Sequence, residues 1–113
     1  MAIDFTGHCA YPIAETQRRI AFARRTHPEW FDTILLLYDA HDLGRFGLEI
    51  AREFGIEAKC CFLMSVNDKG ALDQVREAVE FVYQVFGTDD LVVTWGNDSV
   101  RPPLQDYPPM TVD

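Results

Sequence analysis

The chain has 113 residues, 48% of them hydrophobic and 25% charged, which suits one globular domain that buries its own core. A formal charge of −8 and a sequence pI of about 4.7 repel phosphate backbones. They exclude nucleic acid as the expected partner and favour a basic one. The longest apolar run, Ile34 to Tyr38, is far too short to span a bilayer, so no membrane association is expected.

The first expected element is a half-buried strand over 3–9, where Ile3-Asp4-Phe5-Thr6-Gly7-His8-Cys9 alternates apolar with polar or small residues. The stretch MAIDFTGHC has neither a basic start nor a long apolar core, so it does not read as a signal peptide. Pro12 suits the first turn of a helix, and PIAETQRRIAFARRT continues it until His27-Pro28. This helix holds Arg18, Arg19, Arg24 and Arg25. Against Asp4 and Glu15 they leave residues 1–28 at a net +2, so the remainder carries −10. The arginines form a cationic strip, read either as a solvated helix face or as a partner for acidic groups.

TILLLY is continuously apolar and reads as a central strand covered on both faces. In the helix that follows, Leu43, Phe46, Gly47, Ile50 and Phe54 share one face. Gly55 fits its C-terminal cap, with Ile56 beside it. AKCCFLMSV is the next strand, its core face expected at Ala58, Cys60, Phe62, Met64 and Val66. After the turn NDKG, ALDQVREAVEFVYQVF places Leu72, Val75, Val79, Val82 and Phe86 on one helical stripe that stops at Gly87. LVVTW is a strand, GND a turn, and Ser99-Val100-Arg101 offers a short fifth strand before Pro102-Pro103 ends the pairing. The expected architecture is a single layered α/β domain over residues 1–101. Its order is β-α-β-α-β-α-β, with helices packed on a mixed sheet that includes some parallel pairing. A Pro-rich C-terminal tail over 102–113 hugs the surface.

Chemistry-bearing patterns are sparse. Asp39, His41 and Asp42 flank the end of an apolar strand, where a small enzyme or metal-binding domain would place acid–base or ligand groups. Helix capping accounts for both aspartates without a ligand, and three or four ligands are needed for a metal site. GRFG lacks the spacing of a phosphate loop, and no G-x-S-x-G elbow is present. Cys9, Cys60 and Cys61 have no C-x-x-C spacing. They read as buried thiols in a reducing, cytoplasmic setting. His8 and Cys9 are adjacent on a strand and so face opposite ways. No catalytic residue, cofactor or metal is expected. Exposed acids and one aromatic anchor near element ends make up the candidate partner-binding set: Asp39, His41, Asp42, Asp89, Asp90, Trp95 and Asp98.

The stretch from Glu53 to Val100 adds a resemblance. Phe54-Gly55, an apolar strand, Asp68-Lys69, a long amphipathic helix, Asp90 through Val93 and Gly96-Asn97 together resemble the small immunity proteins of bacterial polymorphic, contact-delivered toxins of the swarming-inhibition (Sit) type. That resemblance implies a cytoplasmic, non-enzymatic inhibitor that neutralises one cognate toxin by direct binding, without a cofactor. A basic toxin would match the charge. The alternatives are the small enzyme or metal-binding domain using Asp39, His41 and Asp42, and a self-assembling adaptor subunit. The oligomeric state is not legible.

Overall fold

The structure is a computed structural model and describes residues 4–95 and 99–112, the side chain of Phe46 excepted. The elements run β1 (Asp4–Cys9), α1 (Ile13–Thr26), α2 (Pro28–Phe31), β2 (Leu35–Leu37), β3 (His41–Asp42), α3 (Arg45–Glu53), β4 (Cys60–Val66), α4 (Leu72–Phe86), β5 (Leu91–Trp95) and β6 (Ser99–Val100). The expected α/β order is present. It gains α2, because Pro28 starts a new helical turn after stopping α1, and it gains β3 in the segment expected to cap a helix.

The strands form one sheet in the order β2-β4-β1-β5-β6, with β3 also pairing to β4. Every described pairing is antiparallel, so the parallel pairing of a mixed sheet is not realised. The reason is topological. β1 and β2 point the same way, as an intervening helix requires, but β4 lies between them. β4 and β5 also point the same way, and β1 lies between them. Each helical crossover skips one strand, which is the split β-α-β arrangement of ferredoxin-like folds. Element order dictates strand direction but leaves strand neighbours open.

Right-handed crossovers send α1 and α4 to the same side of the sheet. There Phe5, Cys9, Leu35, Leu37, Cys60, Phe62, Met64, Val66, Leu91 and Val93 meet Ile20, Ala23, Phe31 and Val75, Val79, Val82 and Phe86 of α4 in one core, while Leu72, at the first turn of the expected stripe, is half-exposed. Gly7 sits at its centre. A Cβ added there would lie 2.4 Å from Phe62 Cζ, so the glycine makes room for that ring. Phe62 in turn stacks on Phe86 with centroids 5.3 Å apart.

The second face is covered only at one end. Ala51, Ile56, Ala58 and Val92 form a small separate cluster there, against Ala10, Leu43 and Phe54. Ala58 therefore packs under α3 and not with the main core. The α3 terminus follows its sequence closely: Gly55 takes φ +87°, its N–H donates to Arg52 O, and Ile56 N–H donates to Ala51 O. That pair of bonds is a Schellman cap.

The C-terminal segment is strapped across α1 and α4. Arg19 is buried and donates to Val85 O at 2.6 Å and Met110 O at 2.7 Å. Arg18 donates to Val112 O at 2.7 Å. Glu80 accepts from Leu104 N–H and the Tyr107 hydroxyl. Two arginines of the α1 strip thus meet backbone carbonyls of their own chain, and Glu15 pairs with both Arg18 and Arg19.

Candidate functional site

The geometry of the stretch from Tyr38 to Asp42 follows from its strand pairing. β2 pairs Leu37 with Met64, and β3 pairs His41 with Cys61. The edge strand advances four residues where β4 advances three, so one extra residue bulges out between them. TILLLY is therefore the start of a bulged edge strand and not a central one. Its apolar run is explained by Leu35 and Leu37, which enter the helical core, while Leu36 is half-buried on the other face.

Two α1 side chains close this edge. Arg24 donates to Leu37 O through Nε at 2.9 Å and also through Nη2. Gln17 accepts from Ala40 N–H at 2.9 Å and donates to Asp39 Oδ1 at 2.9 Å. Arg24 Nη1 lies 3.2 Å from the same carboxylate oxygen. The Gln17 hydrogen bond, with Arg24 beside it, holds the Asp39 carboxyl below the usual carboxylate range. An edge strand with free N–H and C=O groups invites pairing with another chain. Here both kinds of group are taken by side chains.

The capping role expected of Asp39 and Asp42 is not found. The residue before α3 is Gly44, and no side chain caps that helix. Asp39 is held by α1, and Asp42 is exposed in β3 opposite Cys60. His41 turns to Cys61, whose Sγ lies 3.6 Å from Nδ1. Asp39, His41 and Asp42 do not converge on one point. Among the described residues, no group of three or more His, Cys, Asp or Glu has metal-binding geometry.

His41, Cys61, His8 and Val92 form one row across four strands on the second sheet face. His8 is only 3% exposed. Its Nε2 lies 3.1 Å from Thr94 Oγ1, and its Nδ1 has no hydrogen-bond partner among the described residues. Burial lowers the His8 pKa and raises that of Cys61. Both groups are held in their neutral forms, which suits packing and not nucleophilic attack.

The remaining candidates lie elsewhere. Asp90 accepts from the Tyr11 hydroxyl at 3.1 Å, and with Asp89 it stands just before β5. Trp95 ends the same strand and is 56% exposed. It sits opposite Phe5, on the helical side, in a cleft of about 180 Å³ with Leu72, Arg76 and Arg101. Asp98 lies outside the described residues. The candidate set is therefore spread over both ends of the sheet and one edge.

The feature not anticipated is the uncovered part of the second face. One row runs Tyr38, Leu63, Thr6, Thr94, Val100, with Thr94 buried, and the row above it runs Leu36, Ser65, Asp4. Tyr38 is 45% exposed, Val100 40% and Leu63 37%. An antiparallel sheet that shows one face to water is expected to be polar there. Leu63 has the opposite parity to Phe62 and Met64, so alternation in CCFLMSV contained the signal. It becomes readable only once the helices are known to cover a single face.

These elements define the class: a small two-layer α/β domain that presents an apolar sheet face. The chain belongs to the CDI System Immunity Component family, whose model matches residues 1–99, and membership makes it an immunity protein of a toxin system. Among solved structures, it matches a chain of the "CdiA-CT/CdiI toxin and immunity complex from Burkholderia pseudomallei", with a TM-score of 0.82 and 24% identity over 90% of this chain and 99% of that one. At that identity the likeness speaks for the fold. No curated protein matches the chain. Among the described residues, no helix is long and apolar enough to cross a membrane.

Proposed function

We propose that the protein neutralises a cognate toxin of the CdiA-CT kind by binding it directly in the cytoplasm, as an occluding inhibitor without catalysis or cofactor. The observation that carries this reading is the family match over residues 1–99. The shared fold with a chain of a toxin and immunity complex supports it. A net charge of −8 suits a basic toxin and raises the rate of encounter. Asp42, Asp89 and Asp90, and by its charge Asp98, contribute to that field. His41 and Trp95 are further contact candidates, and Asp39 adds a partly neutralised charge. Residues 1–101 form the toxin-binding domain in this reading, with 102–113 as its strap.

Co-expression tests the proposal. The C-terminal toxin domain encoded beside this gene should arrest growth alone and be harmless when this chain is co-expressed. The two should also co-purify as a complex that survives chelation. Persistent growth arrest with no complex would remove the reading.

A further inference from the structure

We infer that the uncovered sheet face built from Leu36, Tyr38, Leu63 and Val100 is the surface on which the toxin docks. The inference rests on the proposed function and names its site. The occupant is a basic protein surface with an apolar centre, and three observations on this chain select it.

The first is the face itself. Tyr38, Leu63, Thr6, Thr94 and Val100 lie in one cross-strand row that spans the sheet. Leu36, Tyr38 and Leu63 are neighbours on adjacent strands and form one apolar patch, with Val100 at the far end of the row beyond Thr6 and the buried Thr94. The second is charge. None of the described strand residues is Lys or Arg. Among the described strand residues of the face, the charged one is Asp4, in register with Ser65. A basic partner meets complementary charge there, whereas a second copy of this acidic chain would bring Asp4 toward like charge. The third is the blocked edge. With Leu37 O and Ala40 N–H occupied by Arg24 and Gln17, strand addition at β2 is disfavoured. The face beside it stays free for side-chain docking. Tyr38 has the form of a hot-spot anchor, a rigid ring carrying a polar tip.

Calorimetry with the purified, catalytically inactivated toxin domain of the adjacent gene tests this. Leu63→Lys and Tyr38→Lys change half-exposed residues, and their folding is checked by melting. Each should weaken binding by about 100-fold, the effect of breaking an interface hot spot. Asp106→Asn and Leu104→Ala, on the C-terminal segment away from the face, should stay within about threefold of the wild-type affinity, the behaviour of residues outside a hot spot. Methyl NMR on the unmutated complex gives a readout that does not depend on variants folding: signals of Leu36, Leu63 and Val100 should shift, and that of Leu104 should not. Wild-type binding with unaffected face variants and unmoved methyls would overturn the docking face alone. A wild-type chain that binds no toxin would overturn the function together with the face. A face-mediated dimer, dissociated by Leu63→Lys in light scattering, would put a second copy there and overturn the assignment.

Discussion

Gly7 offers a direct measurement of how tightly the helical core is packed. A methyl group at Gly7 would sit 2.4 Å from Phe62 Cζ and 2.7 Å from Cε2, well inside contact distance. Phe62 has no free direction to retreat, because its ring stacks on Phe86 and is fully buried. Overpacking of this kind costs about 1–3 kcal/mol. At about 4 °C per kcal/mol for a domain near this size, Gly7→Ala should lower the melting temperature by about 4–12 °C. The same substitution in a Phe62→Leu background meets empty space. The reduced freedom of the unfolded chain then favours alanine by about 0.4–1 kcal/mol. Gly7→Ala should therefore destabilise the wild type yet be neutral or stabilising in Phe62→Leu, a coupling of about 1.5–4 kcal/mol across a double-mutant cycle. Urea unfolding followed by circular dichroism reads all four corners. Equal effects of Gly7→Ala in both backgrounds would refute the ring-against-glycine account.

Three further outcomes follow from named contacts. Tyr83→Phe removes the hydroxyl that accepts from Val93 N–H at 2.9 Å and donates to Arg101 O at 2.6 Å. Leaving a buried N–H unpaired costs about 1–3 kcal/mol, seen as a lower urea midpoint at unchanged slope. Gln17→Ala takes the acceptor from Ala40 N–H, so hydrogen exchange at Ala40 should accelerate while the melting temperature hardly moves; unchanged exchange would show that the edge is not held from α1. Burial depresses the His8 pKa below its ordinary value of 6.5, so the fold keeps His8 neutral where the unfolded chain takes up a proton. Its contribution is complete above about pH 6.5 and is lost as pH falls below that, at up to about 1.4 kcal/mol per pH unit. Replacing His8 with Thr should flatten stability between about pH 6.5 and 5, and an unaltered slope would reassign it to other groups.

The parts legible in the sequence were those governed by neighbours along the chain. Helical period placed α4, and Gly55 with Ile56 anticipated a cap whose two hydrogen bonds are both present. The α-helix between each pair of like-directed strands was readable too. What could not be read was which strand slips between them, since β4 enters beside β1 through side chains more than fifty residues away. The Asp39 to Asp42 stretch shows the same limit. Aspartates after an apolar strand fit a capping pattern locally, but Gln17 and Arg24, over a dozen residues earlier, supply the hydrogen bonds that make it a bulged edge. The α1 arginines likewise look solvated until the C-terminal segment returns to meet them.

The edge and the face also answer a common problem. Two crossovers of one hand put α1 and α4 on the same side, so a sheet of this topology has too few helices to cover its other face. α3 covers only the end near Val92. Filling the rest with polar side chains would be the ordinary solution, and at Thr6 and Ser65 it is used. Leu36, Tyr38, Leu63 and Val100 depart from it at a cost in solubility that the net charge of −8 helps to offset. A bare apolar face beside an open strand edge would invite indiscriminate pairing. Closing the edge with Arg24 and Gln17 removes the backbone route and leaves recognition to side-chain shape and charge. Under the proposed docking, this favours one cognate toxin over others, because side chains vary between partners whereas backbone groups do not. Arg24→Met should then relax selectivity: the variant should keep its affinity for the cognate toxin and gain measurable binding to non-cognate toxin domains or to itself. A variant as selective and as monomeric as the wild type would detach the edge from specificity.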